Sequence, residues 1–424
     1  MKNSFNKTIL DNGLRIITIP QDSVPSATVL VMVEAGSKYE TKEINGLSHF
    51  LEHMCFKGTA KRPTSISITS ELDALGAEYN AFTSHEVTAY FVKSQAKHLS
   101  KTIEIVSDLY LNPLFDAKEI DKERGVIIEE INMYEDTPMR RVQELFTTLL
   151  YGDQPAGWDV AGTKENILKL TREDFLKYRG AHYLAPATTV VVAGSFDEKK
   201  VIESVKNYFK DMPTDGKAGK KKTIEKQNKP EIMVKHKESD QTHIVVGVRA
   251  FDIFDNRRFA LQVMSNIMGG GMSSRLFQKV REELGAAYYI NSSASLFTDH
   301  GYFEVSAGVD QQKLKKVVEA IMDEFRKMSS EKVSEAELRR AKDHLSGGLI
   351  IGLETSDQLA GFYGEQEIIQ KNILSPEEVL EKVQAVTAED ILSIAKEIFK
   401  NEKLNLALIG PIKEKKELET LLRI

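Results

Sequence analysis

The chain has 424 residues, 41% of them hydrophobic, and a formal net charge of −6. That is ample for packed cores, and the length suggests two or more domains on a prior of roughly 150 residues each. No run of about 18 uncharged apolar residues is present, which argues against a membrane-spanning helix, and the modest charge gives no sign of a nucleic-acid partner.

In chain order, the first residues show no basic stretch followed by an apolar one and a small-residue cleavage site, so they read as mature chain and not as a signal peptide. The runs RIITI (15–19) and TVLVMVEAG (28–36) predict strands. A short helix is expected next, over NGLSHFLEHMCFKG, with Asn45 as its N-terminal cap and Gly58 at its end. Cys55, the one cysteine, lies within it. A lone cysteine cannot form an intrachain disulfide, which suits a reducing compartment and hence the cytoplasm; its expected place is the core, where it would make the neighbouring site sensitive to oxidation. TAYFVKS (88–94) predicts a strand, HLSKTIEIVSDLYLNP (98–113) a helix and TTVVVAG (188–194) another strand. DMPTDGKAGKKKTIEKQNKP (211–230) is rich in Pro, Gly and Lys and reads as an exposed linker, its lysines 220–222 solvated. EDILSIAKEIFKNEK (389–403) carries helical spacing.

The two halves resemble each other. ELDALGAEYNAFTSHEVTAYF (71–91) parallels VREELGAAYYINSSASLFTDHGYF (280–303), and EIDKERGVIIEEINMYEDTP (119–138) parallels ELRRAKDHLSGGLIIGLETS (337–356). Hairpin-like strands beside long helices imply an α+β class. The expected architecture is two homologous domains, each a mixed, mostly antiparallel sheet with helices packed on one face. The expected boundaries are 1–212, a linker at 213–230, and 231–424.

The short helix carries the unusual chemistry. At about 100° per residue, with His49 at the origin, His53 falls near 40° and Glu52 near 300°. Leu47, Phe50, Leu51, Met54 and Cys55 fall on the opposite side. Two imidazoles one turn apart can share one ion, Zn²⁺ favours nitrogen ligands, and the spacing is H-x-x-E-H. The plainer alternative is an amphipathic helix with incidental histidines. A catalytic zinc needs a further ligand. On a helix over residues 121–136, Glu130 falls in the stripe of Val126, Ile127, Ile131 and Tyr134, with Glu123 two turns earlier, while Glu129 falls on a polar face. A carboxylate facing a core is costly unless it is paired or bound to metal, which favours Glu130 as ligand and Glu123 as its supporting acid. A salt bridge to an Arg or Lys is the alternative. The second half has Gly347 and Gly348 at the matching positions, so only the first half can hold this metal.

HFLEHMCFKGT (49–59), followed by Glu130, NAFTSHEVTAYF (80–91), GTKENI (162–167) and GGGMSSRLFQKVREELGAAY (269–288), resembles the inverzincin metallopeptidases over nearly the whole chain. This family includes pitrilysin, insulysin and the mitochondrial processing peptidase, and the length fits its short, processing-peptidase-like branch. The resemblance implies one Zn²⁺ per chain on His49, His53 and Glu130, with Glu52 as general base to a zinc-activated water and Glu123 behind the ligands. It implies that Asn80 and Ala81 lie on an edge strand that accepts a peptide substrate, and that Arg281 and Tyr288 contact that substrate. It implies cleavage of unfolded peptides in a chamber of four such domains, hence a homodimer, or a heterodimer with a related subunit. A non-catalytic scaffold subunit is the alternative within the family.

Overall fold

The computed structural model describes residues 5–216, 218–412 and 416–424; Lys217, inside the expected linker, lies outside them. The first sheet has six strands. They are β1 (Asn6–Ile9), β2 (Arg15–Pro20), β3 (Ser26–Val33), β4 (Glu78–Thr83), β5 (Thr88–Gln95) and β6 (Thr188–Gly194), ordered β1-β2-β6-β3-β5-β4. The second has five: β7 (Glu231–His236), β8 (Thr242–Ala250), β9 (Ala287–Leu296), β10 (Gly301–Val309) and β11 (Leu404–Gly410), ordered β7-β11-β8-β10-β9. Apart from β1, the second order repeats the first strand for strand. Each sheet has one parallel pair, β2–β6 or β7–β11, and is otherwise antiparallel. The duplication and the α+β class read from the sequence are therefore present.

Alternation along β3 explains the layering. Ala27, Val29, Val31 and Val33 point into one core, shared with Leu47, Phe50, Leu51 and Met54 of the Leu47–Cys55 helix and with Ile103, Val106 and Leu109 of the Leu99–Leu111 helix. Leu30 and Met32 point the other way, into a second cluster with Leu359, Ala360 and Tyr363. Those three belong to the Ser356–Glu365 helix, from the opposite half of the sequence. Thr28 Oγ1 and Ser356 Oγ, 2.8 Å apart, and the Lys93–Asp357 ion pair at 2.8 Å fix that helix on the sheet. The second sheet has the reciprocal arrangement. Its main core takes Val246, Val248, Phe303 and Val305, while Val245, Ala407 and Ile409 on the other face pack against Val142, Phe146 and Leu149 of the Pro138–Tyr151 helix.

This exchange corrects the expected contiguous boundaries. One compact unit comprises Met1–Ile131, Asp159–Lys221 and Ile350–Pro376; the other comprises Asn132–Trp158, Lys222–Leu349 and Glu377–Ile424. Each sheet has an apolar second face, and the covering helix is lent by the other half of the chain. The linker is also less free than its composition implies. Thr223 is buried, with N–H and hydroxyl donating to Asp299, and Lys220 pairs with Glu86.

Candidate metal centre

The Leu47–Cys55 helix begins differently from the expectation. Gly46, not Asn45, is the N-terminal cap, at φ +101°, and a Cβ there would lie 2.7 Å from Ala161 O. The capping acceptor is Glu40, which sequence reasoning missed. Its carboxylate accepts from Gly46 N at 2.8 Å, from Ser48 N and Oγ at 2.6 Å each, and from Asn45 Nδ2 at 3.0 Å. Burial pushes its carboxyl up to about 7 against the pull of these donors. At the far end Phe56 is the cap, and Gly58 turns the chain beyond it at φ +146°.

The helix leaves His49 and His53 on one side, their ring centroids 4.8 Å apart. Glu130, on the Ala117–Glu135 helix, faces both, with Oε2 3.6 Å from His49 Nε2 and 3.5 Å from His53 Nε2. One ligand atom from each of the three falls within a mutual 4.8 Å, and among the described residues this is the one His, Cys, Asp or Glu group so disposed. The donor set, two imidazole nitrogens and one carboxylate oxygen, matches catalytic zinc sites that keep a position open. Glu129 is exposed, as its helical angle predicted. The stripe around Glu130 is not wholly buried, however: Val126 is 51% exposed, so the carboxylate borders open space instead of a core.

Behind the histidines sits a charge relay. His53 Nδ1 lies 3.0 Å from Glu123 Oε1, and Lys57 Nζ lies 2.5 Å from Glu123 Oε2. Burial alone would lower the His53 pKa, but the hydrogen bond to Glu123 and the charges of Glu52 and Glu130 outweigh it and raise it. Burial would likewise raise Glu123, yet His53 and Lys57 hold it below the usual carboxylate range. An ionised Glu123 accepts a hydrogen bond from Nδ1–H, which keeps the proton on Nδ1 and leaves Nε2 its lone pair for an ion.

Glu52 is buried beside this cluster, and burial raises its pKa despite a 2.6 Å hydrogen bond donated by Thr83 Oγ1 to Oε2. Cys55 is fully buried, its thiol 3.5 Å from the Tyr90 hydroxyl and its pKa pushed up to about 12 by burial, so it has no thiolate character and the oxidation-sensitive site expected from sequence does not follow.

Asn80 and Ala81 lie on β4, the edge of the first sheet, paired among the described residues with β5 alone. Ala81 N donates to Asn80 Oδ1 at 2.9 Å. In the second unit Arg281 sits within the π-helical turn Phe277–Glu283, donates to the Tyr288 carbonyl and lies 5.5 Å from the Tyr288 ring centroid; that ring is 72% exposed. The Arg–Tyr pair is therefore assembled. Lys57 and Thr83 carried no sequence signal beyond their place in the motifs, because their partners are 66 and 31 positions away.

An open strand edge beside a two-histidine, one-glutamate cluster, on a duplicated α+β scaffold, defines the class: a metallopeptidase-like fold. The same fold is seen in a protease from Helicobacter pylori, at 23% identity with a TM-score of 0.89 over 96% of this chain and all of that one. A structure described as a peptidase M16 inactive domain from Pseudomonas fluorescens gives the same TM-score at 16% identity, over 97% of this chain and 99% of that one. Residues 15–164 match the insulinase (peptidase family M16) model, and residues 169–345 match the model described as the peptidase M16 inactive domain. The chain is 35% identical to an uncharacterized zinc protease of Streptomyces coelicolor, over 97% of this chain and 91% of that one. It is 32% identical to another of Bacillus subtilis, over 94% and 97%. It belongs to the insulinase family, peptidase family M16. No helix is long and apolar enough to cross a membrane, among the described residues.

Proposed function

We propose that the protein is a zinc-dependent endopeptidase acting on unfolded peptides, with one ion on His49, His53 and Glu130. The carrying observation is the convergence of those three side chains, with the acid Glu52 buried alongside. The names of the Streptomyces and Bacillus relatives, both zinc proteases, support the choice of metal. Bound zinc would supply a Lewis acid that acidifies water and polarises a peptide carbonyl.

The chain's own residues do the rest. Glu123, held ionised by His53 and Lys57, fixes the His53 ring and its tautomer. Glu52, buried alongside the three ligands, takes a proton from water and returns it to the leaving amine. The edge strand β4, through Asn80 and Ala81, accepts the substrate backbone as an added strand, a mode that grips peptides with little regard for sequence. Arg281 and Tyr288 add substrate contacts. A second copy of the chain, or a related subunit, would complete an enclosure that admits peptides and excludes folded proteins. The single buried cysteine suits a reducing, cytoplasmic setting.

The test is Glu52→Gln. The variant is expected to bind zinc and fold as the parent while losing peptide hydrolysis. Full activity in that variant would refute the assignment, and a parent protein inactive on a mixed peptide library with zinc loaded would favour a scaffold role.

A further inference from the structure

β4 carries more than a docking edge. Its residues alternate, so that Tyr79 and Ala81 pack toward the helical layer while Asn80 and Phe82 face outward. Thr83, the last residue of the strand, follows the inward set and brings its hydroxyl to Glu52 Oε2 at 2.6 Å. The strand is thus joined to the buried acid two residues beyond Ala81. Thr88 Oγ1, opposite it on β5, lies 3.5 Å away and donates its own proton to Ala35 O at 2.9 Å, so it does not compete for the Glu52 carboxylate.

A carboxylate has two oxygens and a soft terminal torsion, so an isolated glutamate samples a broad range of orientations. Thr83 occupies Oε2 and restricts that torsion, leaving Oε1 for a proton in transit. Because the donor rides on the edge strand, anything that stiffens β4 also stiffens the carboxylate. An added peptide strand would do so through main-chain pairing along β4.

We propose that Thr83 is the positioning residue for the base, and that pairing of a peptide along β4 sets the Glu52 carboxylate for proton transfer. This rests on the endopeptidase reading above. Turnover therefore depends on occupancy of β4, and a peptide long enough to pair along the strand is cleaved with a higher kcat than a truncated one containing the same bond.

The experiment compares the parent with Thr83→Val, Thr83→Ser and Glu52→Gln, as full-length zinc-loaded protein, on a matched pair of long and truncated peptides. Valine keeps the branched shape suited to a strand and removes only the donor. One hydrogen bond to a charged group corresponds to about ten- to a hundredfold in rate. Thr83→Val should lose kcat by that factor on the long peptide and lose the distinction between long and short. KM, zinc affinity by chelator competition, and affinity of the metal-free protein for the uncut peptide should stay within about twofold of the parent, a margin set by the same energy scale. Thr83→Ser should recover most of the rate. A wild-type kcat in Thr83→Val, a loss confined to KM or zinc affinity, or a loss that keeps the length dependence would each overturn the proposal. Glu52→Gln separates the two ideas: if it retains activity, the endopeptidase mechanism fails; if it is inactive while Thr83→Val is normal, only the positioning role fails.

Discussion

Glu123→Gln is the perturbation whose effect the geometry defines most sharply. The Glu123 carboxylate offers two acceptors to two donors: Oε1 to His53 Nδ1 at 3.0 Å and Oε2 to Lys57 Nζ at 2.5 Å. A glutamine has the same shape but one acceptor and one donor group. If its oxygen turns to His53, its NH₂ confronts the Lys57 ammonium; if it turns to Lys57, the imidazole loses its anchor. An unmatched donor costs about 1–3 kcal/mol, and loss of such an outer partner weakens metal binding by about 10–100-fold. Lys57 keeps 26% of its side chain exposed, so water can take part of its load and the lower half of that range is expected. The assay is zinc affinity by chelator competition at one pH. Lys57→Met supplies the second arm of a double-mutant cycle. With the ammonium gone, the glutamine can turn its oxygen to His53 unopposed, so Glu123→Gln should cost several-fold less in the Lys57→Met background. Zinc affinity within about twofold of the parent in Glu123→Gln, or an equal cost in both backgrounds, would refute the relay.

Three other expectations follow from the same structure. Glu40, with its carboxyl raised from 4.5 to about 7, binds its proton more tightly folded than unfolded, so its contribution is fully present below about pH 4.5 and is lost as pH rises through about 7. Relative to Glu40→Gln, the metal-free parent should lose on the order of 3 kcal/mol of stability across that window, read from urea midpoints; a flat difference would contradict it. Leu359→Ala removes a fully buried side chain lent to the first sheet, at a cost of about 2–5 kcal/mol, and should speed hydrogen exchange at β3 and β6; acceleration confined to β8 and β10 would contradict the exchange of helices. Cys55 should resist maleimide labelling in the folded protein and react only on unfolding, and rapid labelling under native conditions would show the thiol to be open.

Local periodicity made part of this site legible. His49, Glu52 and His53 share a helix, so their common side follows from 100° steps, and the same arithmetic separated Glu130 from Glu129. The duplication was readable because both halves keep the order of helix, hairpin and long helix, and the strand orders agree. What was hidden depends on contacts across the chain. Glu40 caps the helix from a loop, whereas a neighbouring Asn was the obvious local candidate; Asn45 instead spends its amide on Glu40 and Asp159 O. Lys57 and Thr83 act through side chains that only folding brings near. The exchanged helices were invisible because an amphipathic helix does not state which sheet it covers. The Pro138–Tyr151 helix follows the Glu130 helix after two residues, yet packs on the second sheet.

The most direct measurement is an anomalous-difference map at the zinc edge from crystals of the zinc-loaded protein. The account predicts one peak per chain, coordinated by Nε2 of His49, Nε2 of His53 and the Glu130 carboxylate. A peak elsewhere, or none at that position in crystals that contain stoichiometric zinc, would contradict it.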